Sequence, residues 1–568
     1  MVANQCKGGL KVGYRFGNDV CFCYNPIMTP VNFTSRRSPV YSRRGIVATS
    51  QPLATAAGIE VLSKGGNAAD AAVAAAAALN VTEPTSTGIG GDMFALYFDA
   101  QTKQVTALNG SGRAPSALTL ERLKREGLLA DSLPFYHPHT VTVPGACAGW
   151  CDLIEKHGSL SMSDILAPAI RLADEGFPVA PLTAHFWARG ADRQLKSALN
   201  GHELTIDGRA PKAGEIFSNK GLAKTFKLVA EQGAIGFYQG LVAESIVAVI
   251  KEAGGCLSAE DLASHVSTWE SPISVDYRGL RVYECPPNGQ GITALIALNI
   301  LEGFDLASLD LLSPEKMHVM IEAIRLAFAD AKWYVSDPAF AKIPMKELLS
   351  KEYASERRKL IDLKRATVDP QRGSPVNSSG TVYLSVVDGM GNACSFINSN
   401  YMGFGTGIVP KGWGFTLQNR GHNFSLDPNH PNVLAPGKRP YHTIIPAMVT
   451  RVADNSLYAS YGVMGGFMQP QGHVQVLSAL KDAGLDPQSA LDLPRFCLDA
   501  DSAGGKVDIE EGMPIETVNT LREMGHPLNE VSGYERAVFG RGQVILRDES
   551  GVLCGGSDPR ADGYAGSL

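Results

Sequence analysis

The 568-residue sequence lacks the features that mark several classes of protein. Its ten cysteines are scattered and include no CxxC pair, so neither a dense disulfide framework nor a cysteine-based metal site is expected. Charged residues make up 19% of the chain and the formal net charge is −6. Such a mild balance gives no reason to expect nucleic acid or an acidic membrane surface as a partner.

Long hydrophobic runs are also missing. The alanine-rich run over residues 68–81 is too short to cross a bilayer, and it predicts a buried helix instead. The first thirty residues contain no unbroken apolar core followed by a small-residue cleavage site, as a secretory signal would. From these absences we expect a cytoplasmic protein with no membrane partner.

Several common catalytic motifs are absent. The sequence contains no Walker loop, no H-E-x-x-H and no G-x-S-x-G. The glycine-rich stretch 85–92 superficially resembles a phosphate-binding loop. A strand pattern follows it over residues 93–98, whereas a dinucleotide site needs a helix at that point, so the fingerprint fails.

The chain is longer than one hydrophobic core of about 250–300 residues usually supports. We expect an irregular leader over residues 1–45, a helix-rich part over 46–380 and a strand-rich part over 381–568. Helix starts are well marked: Asn67 is a predicted N-cap, and Ser313 followed by Pro314 is another.

The most informative stretch surrounds Thr381. A polar, breaker-rich run over residues 365–379 precedes it, the alternation over 381–387 predicts a strand, and the turn at 389–392 predicts a hairpin. If the Gly380–Thr381 bond were cut, Thr381 would carry a hydroxyl and a free amine, and that amine could activate the hydroxyl. An α-amine has a pKa of about 7.7–8.0, which suits proton transfer. Spacing alone leaves an ordinary hairpin as the alternative.

Glycine turns occur in the last part of the chain at residues 403–407 and 462–466. Backbone N–H groups of adjacent glycines can form an oxyanion hole. Taken singly, each of these turns is more typical of a plain tight turn.

Seven co-linear motifs give the chain a resemblance to the γ-glutamyltranspeptidase (glutathione hydrolase) family of N-terminal nucleophile hydrolases. The resemblance extends from about residue 46 to the C-terminus. The motifs lie at residues 65–71, 87–91, 166–179, 381–392, 404–409, 465–466 and 558–560.

The resemblance implies an α+β fold, a four-layer αββα sandwich made of two chains from one self-cleaved precursor. Cleavage between Gly380 and Thr381 would expose the Thr381 nucleophile, with Ser399 orienting it and the amides of Gly465 and Gly466 binding the oxyanion. The partners would be an amide substrate and water or an amino acceptor. The resemblance implies no metal and no cofactor.

The predicted substrate pocket departs from the glutathione-type pattern. Ser111 aligns with the family's carboxylate-binding arginine, and Arg113 lies two residues later. A neutral Asn423 aligns with the carboxylate that binds the substrate α-amine. The other aligned substrate-binding positions are Tyr401, Arg420, His442 and Thr443. This combination resembles the cephalosporin-acylase-like branch of the family.

Three functions therefore follow as hypotheses. The first is a self-processing hydrolase or transferase of γ-glutamyl amides such as glutathione. The second is an amidase of the same mechanism for another acyl group, such as glutaryl, because Arg113 and Arg420 suit an acyl carboxylate and Asn423 does not require an amine. The third is an inactive scaffold that is never cleaved.

Overall fold

The hairpin predicted near residue 381 lies inside a β-sheet of the computed structural model, which describes residues 37–128, 132–367, 380–499 and 505–568. Its strands run Gly380–Asp388 and Ala393–Tyr401. The Asp388 carboxylate accepts the backbone N–H groups of Met390 and Asn392, each at 3.0 Å, which closes the turn. Gly391 has a φ of 90°, a conformation that favours glycine. The predicted hairpin is therefore confirmed.

Strands are distributed along the whole described chain. In chain order they are β1 (Val40–Ser42), β2 (Gly45–Thr49), β3 (Asp92–Asp99), β4 (Gln104–Gly110), β5 (Phe177–Pro178), β6 (Ile216–Phe217), β7 (Thr268–Glu270), β8 (Ile273–Tyr277), β9 (Leu280–Glu284), β10 (Gly380–Asp388), β11 (Ala393–Tyr401), β12 (Ala447–Arg451), β13 (Leu457–Met464), β14 (Phe496–Leu498), β15 (Val507–Glu510), β16 (Leu528–Val531), β17 (Arg541–Arg547), β18 (Leu553–Ser557) and β19 (Tyr564–Ser567).

Two large sheets form the centre of the fold. The first has the order β19-β2-β10-β11-β3-β4-β7, and the second has the order β1-β18-β17-β13-β12-β9-β8. Every paired neighbour in these two sheets is antiparallel. The smaller sheets are β14-β15-β16 and β5-β6.

Helices lie between and around these strands. In chain order they are α1 (Pro52–Ser63), α2 (Ala68–Thr82), α3 (Leu120–Arg125), α4 (Ala146–His157), α5 (Met162–Glu175), α6 (Pro181–Gly190), α7 (Lys220–Gln232), α8 (Ile235–Tyr238), α9 (Gly240–Glu252), α10 (Ala259–Ala263), α11 (Gly291–Leu301), α12 (Pro314–Tyr334), α13 (Met345–Leu348), α14 (Lys351–Arg358), α15 (Met468–Lys481), α16 (Pro487–Asp492) and α17 (Ile515–Glu523). Single turns of 3₁₀ or π helix include Arg420–Asn423, which matters for the site below.

The two sheets pack face to face, with helices on their outer sides. Ser385 on β10 donates its hydroxyl to Ser460 Oγ on β13 at 2.7 Å, across the interface between the sheets. Gly462 lies so close to the Tyr383 ring that an added Cβ would be 2.6 Å from it. Helices α1 and α2 cover the first sheet, and α11 and α15 cover the second. The predicted four-layer αββα sandwich is confirmed.

Helix α2 shows why the sequence forms the first outer layer. Asn67 caps it, accepting the N–H groups of Ala69 and Asp70, while the Asp70 carboxylate accepts the N–H of Asn67. Every residue of α2 is buried, and most are alanine. Alanine favours the helix and is small enough for α2 to lie close to α1, α5 and strand β10 at once.

Two observations refine the predicted organisation. The leader was expected to be irregular over residues 1–45, but β1 pairs with β18 and the Arg37 guanidinium donates to the Asp558 carbonyl at 2.7 Å, while residues 1–36 lie outside the described residues. Residues 37–568 form one compact unit, so the predicted boundary at 380/381 falls inside it. No helix in the described ranges has the length and apolar character needed to span a bilayer.

Candidate active site

Thr381 is the second residue of β10 and is buried, with 1% of its surface exposed. The pairing of β10 with β11 shifts register between Gly380 and Val382, so that Thr381 on β10 lies opposite two residues of β11, Ser399 and Asn400. An extra residue of this kind redirects the side chains of the strand that carries it, here β11 with Ser399. Here Thr381 Oγ1 is placed 3.1 Å from the hydroxyl of Ser399 on β11.

Ser399 is held by two nitrogen donors. Its Oγ accepts the backbone N–H of Tyr401 at 2.8 Å and the Nη2 of Arg420 at 3.1 Å. In the contact between Ser399 Oγ and Thr381 Oγ1, either hydroxyl can be the donor. The predicted nucleophile and its predicted orienting hydroxyl are therefore in contact.

Arg420 is fully buried beside this pair. Its Nη1 donates to Thr443 Oγ1 at 2.7 Å, and its Cζ lies 4.5 Å from the centroid of the Tyr401 ring. Its Nε lies 3.9 Å from Asp92 Oδ2. Burial lowers the pKa of Arg420 to about 10, and the negative charge of Asp92 opposes that shift. Arg420 therefore remains a cation at neutral pH and holds the Ser399 hydroxyl in place.

Asp92 is a site residue that the sequence analysis missed. It is the first residue of β3 and lies directly opposite Ser399 on β11. One carboxylate oxygen accepts the N–H groups of Gly112 and Gly145, at 3.0 and 3.2 Å. The other accepts Nε2 of His442 at 3.1 Å. The available signal was an acidic residue at the start of an otherwise apolar strand.

The glycine-rich stretch before Asp92 serves close packing. A Cβ on Gly91 would lie 2.3 Å from the Ser399 carbonyl oxygen, and one on Gly90 would lie 2.2 Å from the Thr416 carbonyl oxygen. Glycine is needed here because the loop contacts neighbouring backbone directly. These contacts bring β3 and its Asp92 next to β11, which carries Ser399.

His442 is neutral in this site. Burial, followed by the positive charge of Arg420, lowers its pKa to about 3 despite the contact with Asp92. Its Nδ1 accepts the backbone N–H of Ile444 at 3.4 Å, so Nε2 carries the hydrogen that is donated to Asp92. Asp92 therefore faces one cation, Arg420, and one neutral donor.

The predicted oxyanion glycines follow β13 directly. Gly465 has a φ of 132° and Gly466 a φ of 62°, which makes glycine the suitable residue at both positions. Nε2 of Gln290 donates to the Gly466 carbonyl at 2.9 Å and to the Thr443 carbonyl at 2.7 Å. Neither glycine N–H donates to another group in the described part of the chain. Gln290, also missed from sequence, thus ties this turn to the residues that hold Arg420.

Two predicted substrate-binding residues lie outside this hydrogen-bonded cluster. Arg113 is half-buried and donates to the Val266 carbonyl at 3.2 Å. Asn423 is half-buried and donates from Nδ2 to the Tyr441 carbonyl at 3.1 Å. Within the described ranges, neither hydrogen-bonds to Thr381 or Ser399.

A second buried arginine lies near Arg113. Arg439 donates from Nε to the Ser111 carbonyl at 3.1 Å, and its Nη1 lies 3.6 Å from a Glu270 carboxylate oxygen. Burial lowers the pKa of Arg439 to about 10, and the charge of Arg113 contributes to that shift. The carboxylates of Glu270, Asp337 and Asp92 act in the opposite direction on Arg439, so its charge is partly balanced.

Comparison with known proteins agrees with this geometry. The family model for gamma-glutamyltranspeptidase matches residues 54–568. A glutathione hydrolase-like YwrD proenzyme of Bacillus subtilis (strain 168) is 38% identical, over 93% of this chain and 99% of that protein. A glutathione hydrolase proenzyme of Escherichia coli (strain K12) is 32% identical, over 92% of this chain and 91% of its own.

A solved structure is similar over nearly the whole chain. The cephalosporin acylase from Bacillus halodurans is 47% identical, with a TM-score of 0.88 and coverage of 96% of this chain and 99% of the other. The predicted resemblance is therefore confirmed by sequence and by structure. The chain belongs to the γ-glutamyltranspeptidase family of N-terminal nucleophile hydrolases.

Proposed function

We propose that this protein is a self-processing threonine amidohydrolase and acyltransferase that cleaves γ-glutamyl amides such as glutathione. The observation that carries the proposal is the contact of 3.1 Å between Thr381 Oγ1 and Ser399 Oγ at the start of β10. Thr381 is also the residue directly after the Gly380–Thr381 bond that would be cut. Relatives with high coverage are named glutathione hydrolase proenzymes, which supports both the processing and the substrate class.

Maturation would begin with attack of Thr381 Oγ1 on the carbonyl carbon of Gly380. The C–N bond breaks, the acyl group moves to oxygen, and the Thr381 nitrogen takes up a proton and becomes an amine. Water then hydrolyses the ester, which leaves a carboxylate on Gly380 and restores the hydroxyl. The products are a large subunit that ends at residue 380 and a small subunit of residues 381–568.

In turnover, the freed amine of Thr381 takes the hydroxyl proton as Oγ1 attacks the substrate amide carbon. Ser399 donates a hydrogen bond to Oγ1 and fixes its direction. The amides of Gly465 and Gly466 bind the oxyanion, a contribution of about 3–4 kcal/mol for one such donor in other hydrolases. The ammonium then protonates the leaving amine, and the acyl-enzyme passes its acyl group to water or to an amino acceptor.

A second substrate class is favoured by one observation at the pocket. Asn423 is neutral and its amide nitrogen is already bonded to the Tyr441 carbonyl, so it offers an α-ammonium group no charge. Arg113, whose described hydrogen bond goes to the neutral Val266 carbonyl, provides positive charge for an acyl carboxylate. A dicarboxylic acyl group such as glutaryl would suit these residues, and a cephalosporin acylase is among the similar structures.

The proposal is tested first by intact mass. Purified wild-type protein should give two chains that meet at 380/381, Thr381→Ala should give one uncut chain without hydrolase activity, and Thr381→Ser should be cut slowly. Cutting of the alanine variant at this bond would refute self-processing by Thr381. Uncut wild-type protein would support the scaffold hypothesis.

The acyl group is tested separately on the processed enzyme. We would compare kcat/KM for γ-glutamyl and glutaryl p-nitroanilides, which share the leaving group and differ in the α-ammonium group. Turnover of the γ-glutamyl compound supports the proposed activity. Turnover of the glutaryl compound alone would replace it with the acylase function and leave the threonine mechanism intact.

A further inference from the structure

A buried cluster far along the chain from Thr381 has the composition of a metal site. His318 and Glu322 lie one turn apart on α12, and His526 follows the end of α17. All three are buried, with exposures of 0%, 1% and 3%. One ligand atom from each lies within 4.8 Å of the others. Neither the sequence analysis nor the proposed mechanism uses these residues.

Hydrogen bonds define the state of the two rings. His318 Nε2 donates to the Asp362 carbonyl at 2.7 Å, so in the neutral ring Nδ1 is left as an acceptor. His526 Nε2 lies 2.7 Å from that Nδ1 and must supply the hydrogen. The His526 Nδ1 atom is then a buried lone pair, and it has no partner within the described ranges.

We propose that this cluster binds Zn²⁺ through His318 Nδ1, His526 Nε2 and a carboxylate oxygen of Glu322. The ion takes the place of the hydrogen shared by the two rings, and the His526 proton moves from Nε2 to Nδ1 by exchange with solvent. Two nitrogen ligands on a tetrahedral zinc ion are about 3.3 Å apart, so the ring nitrogens, now 2.7 Å apart, must separate slightly. Water fills the fourth position.

The surroundings resemble the outer shell of a zinc site. A ligating histidine commonly donates its other N–H to a backbone carbonyl, as His318 does to Asp362. Glu322 accepts Nη1 of Arg325 at 3.0 Å and the N–H of Thr367 at 3.0 Å, which fixes its carboxylate. The charge of Arg325 opposes any dication. An ion that binds here must therefore obtain most of its binding free energy from the two imidazole ligands. This favours Zn²⁺ and disfavours Ca²⁺ and Mg²⁺.

The position of the cluster gives the ion a consequence for the two subunits. His318 and Glu322 belong to the segment before the proposed cut and His526 to the segment after it. Nearby, the Ala366 N–H donates to the Met524 carbonyl at 2.7 Å, again joining the two segments. Zinc bound here would link the large and small subunits through residues other than those around Thr381.

The first test uses untagged full-length protein freed of metal with a chelator, and Co²⁺ as the spectroscopic probe. We expect one Co²⁺ per chain with the intense visible bands of a tetrahedral site, displaced by Zn²⁺ and unaffected by excess Ca²⁺ or Mg²⁺. The His526→Gln variant should lose the bands, and the exposed His202→Ala control should keep them. Wild-type protein without stoichiometric Co²⁺ or Zn²⁺ binding would overturn the proposal whatever the variants do.

The second test measures the link between subunits. Zn²⁺ should raise the midpoint of thermal unfolding of the wild type, and His202→Ala should respond equally. Binding that survives in both His526→Gln and His318→Gln would show that the ion lies elsewhere, and this too would overturn the proposal. The uncut Thr381→Ala chain should bind the metal equally well, so failure of the proposed catalysis would not affect this result.

Discussion

Arg420 offers the most quantitative test of the site. We consider Arg420→Met, Asp92→Asn and the double variant, all in the uncut Thr381→Ala background so that every protein is one chain. The methionine keeps much of the apolar volume of the arginine stem and removes the guanidinium. The asparagine keeps the shape of Asp92 and removes its charge.

The structure sets the expected magnitude. Arg420 Nε and Asp92 Oδ2 are 3.9 Å apart and fully buried, which gives about 4 kcal/mol of attraction at an effective dielectric constant of about 20. Removing one partner leaves the other charge buried without its counterion, a change that typically costs about 3–5 kcal/mol. We therefore expect each single variant to lose about 3–5 kcal/mol of unfolding free energy. The double variant should lose much less than the sum.

The assay is urea unfolding followed by far-UV circular dichroism, with midpoint and slope compared for the four proteins. A coupling energy of about 3–4 kcal/mol supports the pair. Loss values that add within about 0.5 kcal/mol would refute it, because independent sites add to that precision. Arg420→Lys serves as the matched control, since it keeps the charge but loses the geometry that reaches Ser399 and Thr443 together.

The same variant also tests the nucleophile. With Thr381 restored, Arg420→Met removes the Nη2 donor that holds Ser399 Oγ at 3.1 Å. A hydrogen bond from a charged donor contributes about 1.5–3 kcal/mol, and about 1.4 kcal/mol corresponds to a tenfold change in rate. We expect processing to be about 10- to 100-fold slower on a timed denaturing gel. Unchanged processing would show that Arg420 does not position Ser399.

Three further predictions follow from the described contacts. Ser399→Ala should slow processing and lower the free energy of unfolding by about 1–3 kcal/mol, because Arg420 Nη2 and the Tyr401 N–H lose their acceptor. Ser399→Thr keeps the hydroxyl and should retain the processing rate and the stability. Timed denaturing gels measure the processing rate, and urea midpoints measure the stability. Gly91→Ala should also impair processing, because its Cβ would lie 2.3 Å from the Ser399 carbonyl oxygen, and normal cleavage of this variant would contradict the packing. The free energy of unfolding should fall as pH drops from about 6.5 towards 3, because histidines bind protons in the unfolded chain at a pH where the buried histidines of the folded chain stay neutral. Burial lowers the pKa of His442 to about 3. His442→Gln should therefore reduce the decline in melting temperature between pH 7 and pH 5.

Local signals in the sequence predicted local structure well. Asn67 and Ser313 both cap helices as expected, and the hairpin after Thr381 forms with its glycine turn. Helix caps and hairpin turns are determined by residues close together in the chain, so they can be predicted from a single sequence. The resemblance to a known family predicted Thr381 as nucleophile and Ser399 as its orienting residue, and the structure brings their hydroxyls into contact.

Contacts between distant segments could not be predicted in this way. Asp92 and Gln290 lie far from Thr381 in sequence and reach its surroundings only through sheet pairing and loop packing. Arg420 was expected to bind substrate from alignment alone. In the structure its hydrogen bonds go to Ser399 and Thr443, and its predicted contact with substrate remains a prediction.

The order of strands has a consequence for the life of the mature protein. If the chain is cut before Thr381, β2 from the first segment lies between β10 and β19 from the second, and β1 and β9 are likewise held at β18 and β12. Each of the two large sheets would then contain strands from both segments. Segments separated by denaturant should then reassemble inefficiently, because the peptide bond that kept their strands together during folding has been cut. Cleavage would thus be irreversible in assembly as well as in chemistry, with the precursor as the only form competent to fold.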